Sequence, residues 1–122
     1  MTGELVERPD QPHLIFMSTL SNIAIAGIRA AETRFAARAE TVANANNQAY
    51  PATRTEQIST AIGPVARASR SDKPRPNEPQ RSDADLAEAL AGLVSIRYDF
   101  RASVKLLRTA DELSGSLLDI LA

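Results

Sequence analysis

Chemistry in a protein needs nucleophiles, acid–base groups or metal ligands at workable spacing, and this chain offers few. His13 is the only histidine and stands beside Pro12; there is no cysteine. One imidazole cannot make a zinc site, and thiolate catalysis, disulfides and cysteine-held metals are excluded by composition. The carboxylates Asp83, Asp85, Glu88, Asp111 and Glu112 stand near a helix end or within reach of a base such as Arg108, where capping and solvent-facing ion pairs account for them. No glycine-rich phosphate loop, nucleophile–base pair or metal-ligand spacing occurs. The expectation is a protein that is not an enzyme and holds neither metal nor cofactor.

The elements around these residues read as long helices. At 122 residues the chain supports a single domain. Aromatic residues are 4% and tryptophan is absent, so thin helices fit the composition better than a bulky core. The formal net charge is −1 with both signs interspersed, which gives no general reason to expect nucleic acid or an anionic membrane as partner. The opening MTGELVERPDQPH has acids and a proline where a secretory signal needs a basic start and an apolar stretch. The apolar runs fall short of the ~20 residues of a bilayer span, so no membrane insertion is expected.

From Leu14 to about Asn44 the pattern is helical, with Ile28, Phe35 and Val42 at seven-residue spacing and a neighbouring stripe of alanine. Small residues there, Gly27 and Ala31 among them, would let another helix come close. The run AETVANANNQAYP then closes the helix: asparagine tolerates left-handed backbone and bonds its own neighbours, so Asn44, Asn46 and Asn47 favour a turn. Pro51 forbids a return to helix and biases Tyr50 toward extended geometry.

Five of the seven prolines fall between Tyr50 and Asp83. One or two short extended segments are expected there, with Ile58, Ile62 and Val65 as apolar anchors, followed by an exposed linker through PRPNEP. The region is locally basic, with Arg54, Arg67, Arg70, Lys73, Arg75 and Arg81 against Glu56, Asp72 and Glu78; it is either a solvated linker or a contact for an acidic partner surface.

From Asp85 to Leu121 the helical signal is strongest. Leu86, Leu93, Phe100 and Leu107 repeat by sevens, and Ala89, Ile96, Ser103, Ala110 and Leu117 repeat in the adjoining register. Ser82 or Asp83 can cap the start. At 1.5 Å per residue the two helices are roughly 45 and 55 Å long, and the apolar residues flanking the second stripe exceed what one partner helix hides.

The expected fold is therefore all-α: two long helices pairing as a coiled-coil-like hairpin and joined by a Pro-rich, partly extended linker. Its division is a flexible N-terminus over 1–13, a helix and turn over 14–49, a basic linker over 50–83 and a second helix over 84–122. Ile28, Phe35, Val42, Leu86, Leu93, Ile96, Phe100 and Leu107 are the candidates for helix packing and assembly.

Two stretches also carry a resemblance. AIAGIRAAETRFAARAETVANANNQAY, from Ala24 to Tyr50, resembles the N-terminal signature of flagellar axial proteins, the rod, hook and hook-associated family. Gly27, Ala30, Ala31, Ala43, Asn44, Asn46 and Tyr50 fall on matching positions; the family's turn glycine and threonine are replaced by Ala49 and Asn47. DLAEALAGLVSIRYDFRASVKLLRTADELSGSLLDILA, from Asp85 to Ala122, is similar to that family's C-terminal helix. Matches include Asp85, Leu86, Glu88, Ala102, Lys105, Arg108, Thr109, Ala110, Asp111 and Glu112, with Phe100 for the usual tyrosine and Ser103 for asparagine.

The resemblance covers about half of the chain, and the short middle brings it nearest to the small proximal-rod subunits or a reduced paralogue of them. It implies terminal helices that pair and pack with other axial proteins and with further copies of the chain into the inner tube of the basal-body rod. It also implies passage through the flagellar type III export apparatus without a cleaved signal, and a periplasm-spanning location. The other class that the apolar stripes allow is a soluble helical adaptor that dimerises into a four-helix bundle.

Overall fold

The computed structural model describes residues 12–47, 50, 53–70 and 83–121, with side-chain surroundings for 15–47, 50, 53–70 and 86–120. Four elements follow one another: α1 (Pro12–Ala43), β1 (Thr53–Thr60), β2 (Gly63–Arg70) and α2 (Asp83–Leu121). The chain is mostly helical, but it is not all-α. The middle that sequence reads as a partly extended linker contains a regular antiparallel hairpin in which Thr53 pairs with Arg70 and Thr60 with Gly63. Of the N-terminus expected to be flexible over 1–13, residues 12–13 belong to α1 instead; residues 1–11, the Pro-rich run over 71–82 with its basic residues, and the cap at Ser82 lie outside the described residues.

α1 and α2 run antiparallel. Gly27 faces Ser103, Arg34 bonds Asp99 and Arg38 meets Glu88, so the contacts move down one helix as they move up the other. The seam is built from small residues. Ala24, Ala30, Ala31 and Ala37 on α1, with Ala89, Ile96 and Ala110 on α2, are the buried apolar residues, and Ala89 and Ala110 are 0% exposed. No bulky side chain is fully buried among the described residues. At Gly27 a methyl group would lie 2.5 Å from Ser103 Oγ and 3.3 Å from its Cβ, so this glycine permits the approach.

α1 has no acid in its first turn and no base in its last. It therefore lacks help from its own dipole and depends on packing. It receives that packing from two elements, because the hairpin lies along it as well as α2. The hairpin touches α1 alone among the described elements. Its base sits at Glu40 and its tip at Ile23 and Ala26. The lengths agree: an eight-residue strand and the helical stretch from Glu40 back to Ala24 both span about 24–27 Å.

The tip depends on one glycine. Ala61 and Ile62 both have negative φ, whereas Gly63 has φ 120°, so the left-handed step falls on the residue that closes the turn. Gly63 is also buried, and a methyl there would come within 2.7 Å of Ala26 Cβ and 3.3 Å of the Ile23 backbone. Thr60 Oγ1 donates to the Gly63 carbonyl at 2.6 Å. Ile58, Ile62 and Val65 do not anchor this hairpin. They are 42%, 69% and 37% exposed, with Ile58 opposite Val65, because the alternate positions, among them Thr55, Pro64 and Ala66, turn inward.

The candidate assembly surface

α1 ends where the asparagines begin. Asn44 donates to the Glu40 carbonyl with its backbone N at 3.1 Å and its Nδ2 at 2.9 Å, and the Ala45 and Asn47 amides continue the turn onto Val42 and Asn44. No non-glycine residue among those described has positive φ, so the turn over Asn44, Asn46 and Asn47 forms without the left-handed conformation, with Asn44 and Asn47 bonding within it. Asn46 is exposed and Tyr50 half-buried.

Tyr50 belongs to a polar cluster that sequence reading does not foresee. Glu40 near the end of α1 accepts hydrogen bonds from the Tyr50 hydroxyl, from Thr53 Oγ1 at 3.1 Å and from Arg70 Nη2. Arg70 also donates to the Tyr50 oxygen at 3.0 Å and stands over its ring, 5.4 Å from the centroid. Both strands are thus fastened at their open end to α1. The signal lay in an isolated Glu40 within an alanine-rich helix, but its partners are ten to thirty residues away and no local period connects them.

The packing candidates divide by register. Ile96 is 5% exposed and lies in the buried series with Ala89 and Ala110. Leu86, Leu93 and Leu107 on α2, and Ile28 and Val42 on α1, are half-buried. Phe35 and Phe100 are 51% and 39% exposed. The closest contact between the helices therefore runs along the alanine-bearing register, and the leucine–phenylalanine register flanks it. Alanine wins the centre because it lets the backbones approach; larger side chains are displaced to the edges.

That displacement leaves an open apolar groove of about 440 Å³ lined by Ala31, Phe35, Leu93, Val94, Ile96 and Phe100, with Glu32 on the α1 rim and Arg97 on the α2 rim. Four candidates, Phe35, Leu93, Ile96 and Phe100, meet here. A second, more polar groove of about 520 Å³ continues from Phe100 along Val104, Lys105, Arg108 and Thr109. Arg108, Thr109 and Asp111 are exposed, and Thr109 Oγ1 bonds the Lys105 carbonyl at 3.1 Å.

Exposed apolar side chains extend beyond the groove to Ile15, Phe16, Leu90, Leu113, Leu118 and Ile120. Such a distribution along both helices suits a surface that other helices cover. Among the described residues no cluster of three metal-ligating side chains occurs, and no helix is long and apolar enough to cross a membrane. Comparison with protein-family models, curated proteins and solved structures finds no match.

Proposed function

We propose that the chain is a structural subunit of the bacterial flagellar basal-body rod, joined to its neighbours through its two terminal helices. The observation that carries this reading is that the helices bearing the two resemblance motifs pair antiparallel through small residues and leave an apolar groove and stripe uncovered. A subunit whose only task is to fold alone has no use for Phe35, Val94, Phe100 and Leu118 in water, whereas one held in a tube of helices does. Asn44, Asn46 and Tyr50 supply the turn that redirects the chain, and Arg108, Thr109 and Asp111 sit on the exposed side of α2, available to neighbouring subunits. The partners are other axial proteins and further copies of the chain, reached through the flagellar export apparatus; the role is mechanical, with no substrate and no cofactor.

The reading predicts that deleting the coding sequence in the native flagellated cell abolishes motility and truncates the rod seen by electron microscopy of basal bodies. Restoring the wild-type chain rescues both, and restoring it with Phe100→Asp does not. Normal rods in the deletion strain would defeat the proposal and favour the soluble adaptor.

A further inference from the structure

The outward face of α2 carries a charge pattern that neither α1 nor the hairpin answers. Arg101, Arg108, Glu112 and Asp119 are exposed, and their spacings of seven, four and seven residues keep them on one helical face; Arg101 and Asp119, eighteen apart, are five whole turns from each other. The ion pairs among the described residues are Arg34–Asp99, Arg38–Glu88 and Arg70–Glu40, so none of the four charges is in an ion pair with another described residue. α1 cannot provide one, since it has no carboxylate from Pro12 to Ala31.

Lys105 is exposed on the same face and comes level with Gly115; the other four charges are inverted about their own midpoint. Arg101 and Asp119 lie nine residues to either side of Ala110, and Arg108 and Glu112 lie two residues to either side. A two-fold axis level with Ala110 that brings a second α2 alongside in the antiparallel sense sets Arg101 against the second copy's Asp119, and Arg108 against its Glu112. Symmetry makes each pairing occur twice. A parallel pairing in register would set arginine on arginine and acid on acid.

We propose that the free chain forms a two-fold antiparallel dimer through this face of α2, its register fixed by Arg101, Arg108, Glu112 and Asp119. Apolar residues border the charges on one flank. Leu118, 67% exposed, comes level with Ala102 of the other copy and lies on the flank that carries Phe100 and Val104, where the two open grooves meet. The occupant is thus a second copy rather than a polyanion or an anionic membrane. Either of these would engage the basic half of the face and be repelled by Glu112 and Asp119. The dimer covers a face of the subunit before it is built into anything, and it stands apart from the rod reading: its absence would leave that reading intact.

Sedimentation equilibrium of the full chain and of two charge variants tests the proposal. Arg101→Glu with Arg108→Glu makes all four positions acidic, with Lys105 left among them, and Glu112→Arg with Asp119→Arg makes all four basic; the four positions are exposed, and circular dichroism checks that helicity is kept. The wild type is expected to dimerise, with a Kd about tenfold weaker or more when ionic strength rises from about 0.05 M to about 0.5 M. Each variant alone is expected to be monomeric, a mixture of the two to form a 1:1 heterodimer, and the four-fold exchange to restore the homodimer. A monomeric wild type at low salt would overturn the proposal. So would dimers that survive in either variant alone, or a mixture of the two that stays monomeric.

Discussion

At the scale of single residues, Glu40 and Gly63 fix the hairpin at its two ends. Glu40 accepts three donors at the base, and Glu40→Ala removes the acceptor they share while leaving the Arg70–Tyr50 bond; Arg70 is also exposed enough for water to compensate part of the loss. The expected destabilisation is about 1–2 kcal/mol, seen as faster amide exchange over residues 53–70 with the helices unchanged. Gly63→Ala is worse placed. It meets both an unfavourable φ and the Ala26 methyl, so about 2–3 kcal/mol is expected, measured as a lower urea midpoint. Unchanged exchange in the first variant together with an unchanged urea midpoint in the second would mean that the hairpin is held by something else. The asparagine turn was legible in the sequence because its chemistry is local; Glu40 was not, because hydrogen bonds that span ten to thirty residues leave no periodic trace.

At the scale of elements, both helices and their ends were legible in the heptads, the alanine content and the Asn–Pro stop. Which face turns inward was not. Period alone cannot separate the register of Leu86, Leu93 and Phe100 from that of Ala89, Ile96 and Ala110, and reading the larger residues as the centre overlooks how closely small ones let backbones approach. Extended segments were expected in the middle, but their pairing into a hairpin escaped for a related reason: TRTEQIST and GPVARASR lack apolar alternation, since the helix face they cover is itself mostly alanine and needs only small partners. The glycines in the helices test this view. Gly27→Leu pushes Ser103, and α2 with it, away from α1 and is expected to lower stability by about 2 kcal/mol or more. Gly115→Ala, with nothing within 4 Å of the added carbon, is expected to raise it by about 0.5–1 kcal/mol through helix propensity. Urea midpoints read both, and equal effects at the two glycines would refute the close-approach account.

At the scale of the whole molecule, the chain folds around a thin alanine seam and leaves its larger apolar side chains outside. Monomer stability and assembly are therefore expected to separate. Leu93→Asp or Phe100→Asp puts a charge where a neighbouring helix would close over it, a penalty of several kcal/mol in the assembled state, while far-ultraviolet circular dichroism of the isolated subunit stays close to wild type; loss of helicity instead would place these residues in the monomer's own core. The central claim is that the uncovered helices belong in a flagellar rod. Its most direct test is to express the chain with a small tag inserted within residues 71–82 in its own motile cells, and to ask whether it stays with detergent-isolated hook–basal-body complexes. The account predicts that the tagged chain is retained there in a cell that still swims. Its absence from those complexes, with the protein recovered only as a discrete soluble oligomer, would contradict the account.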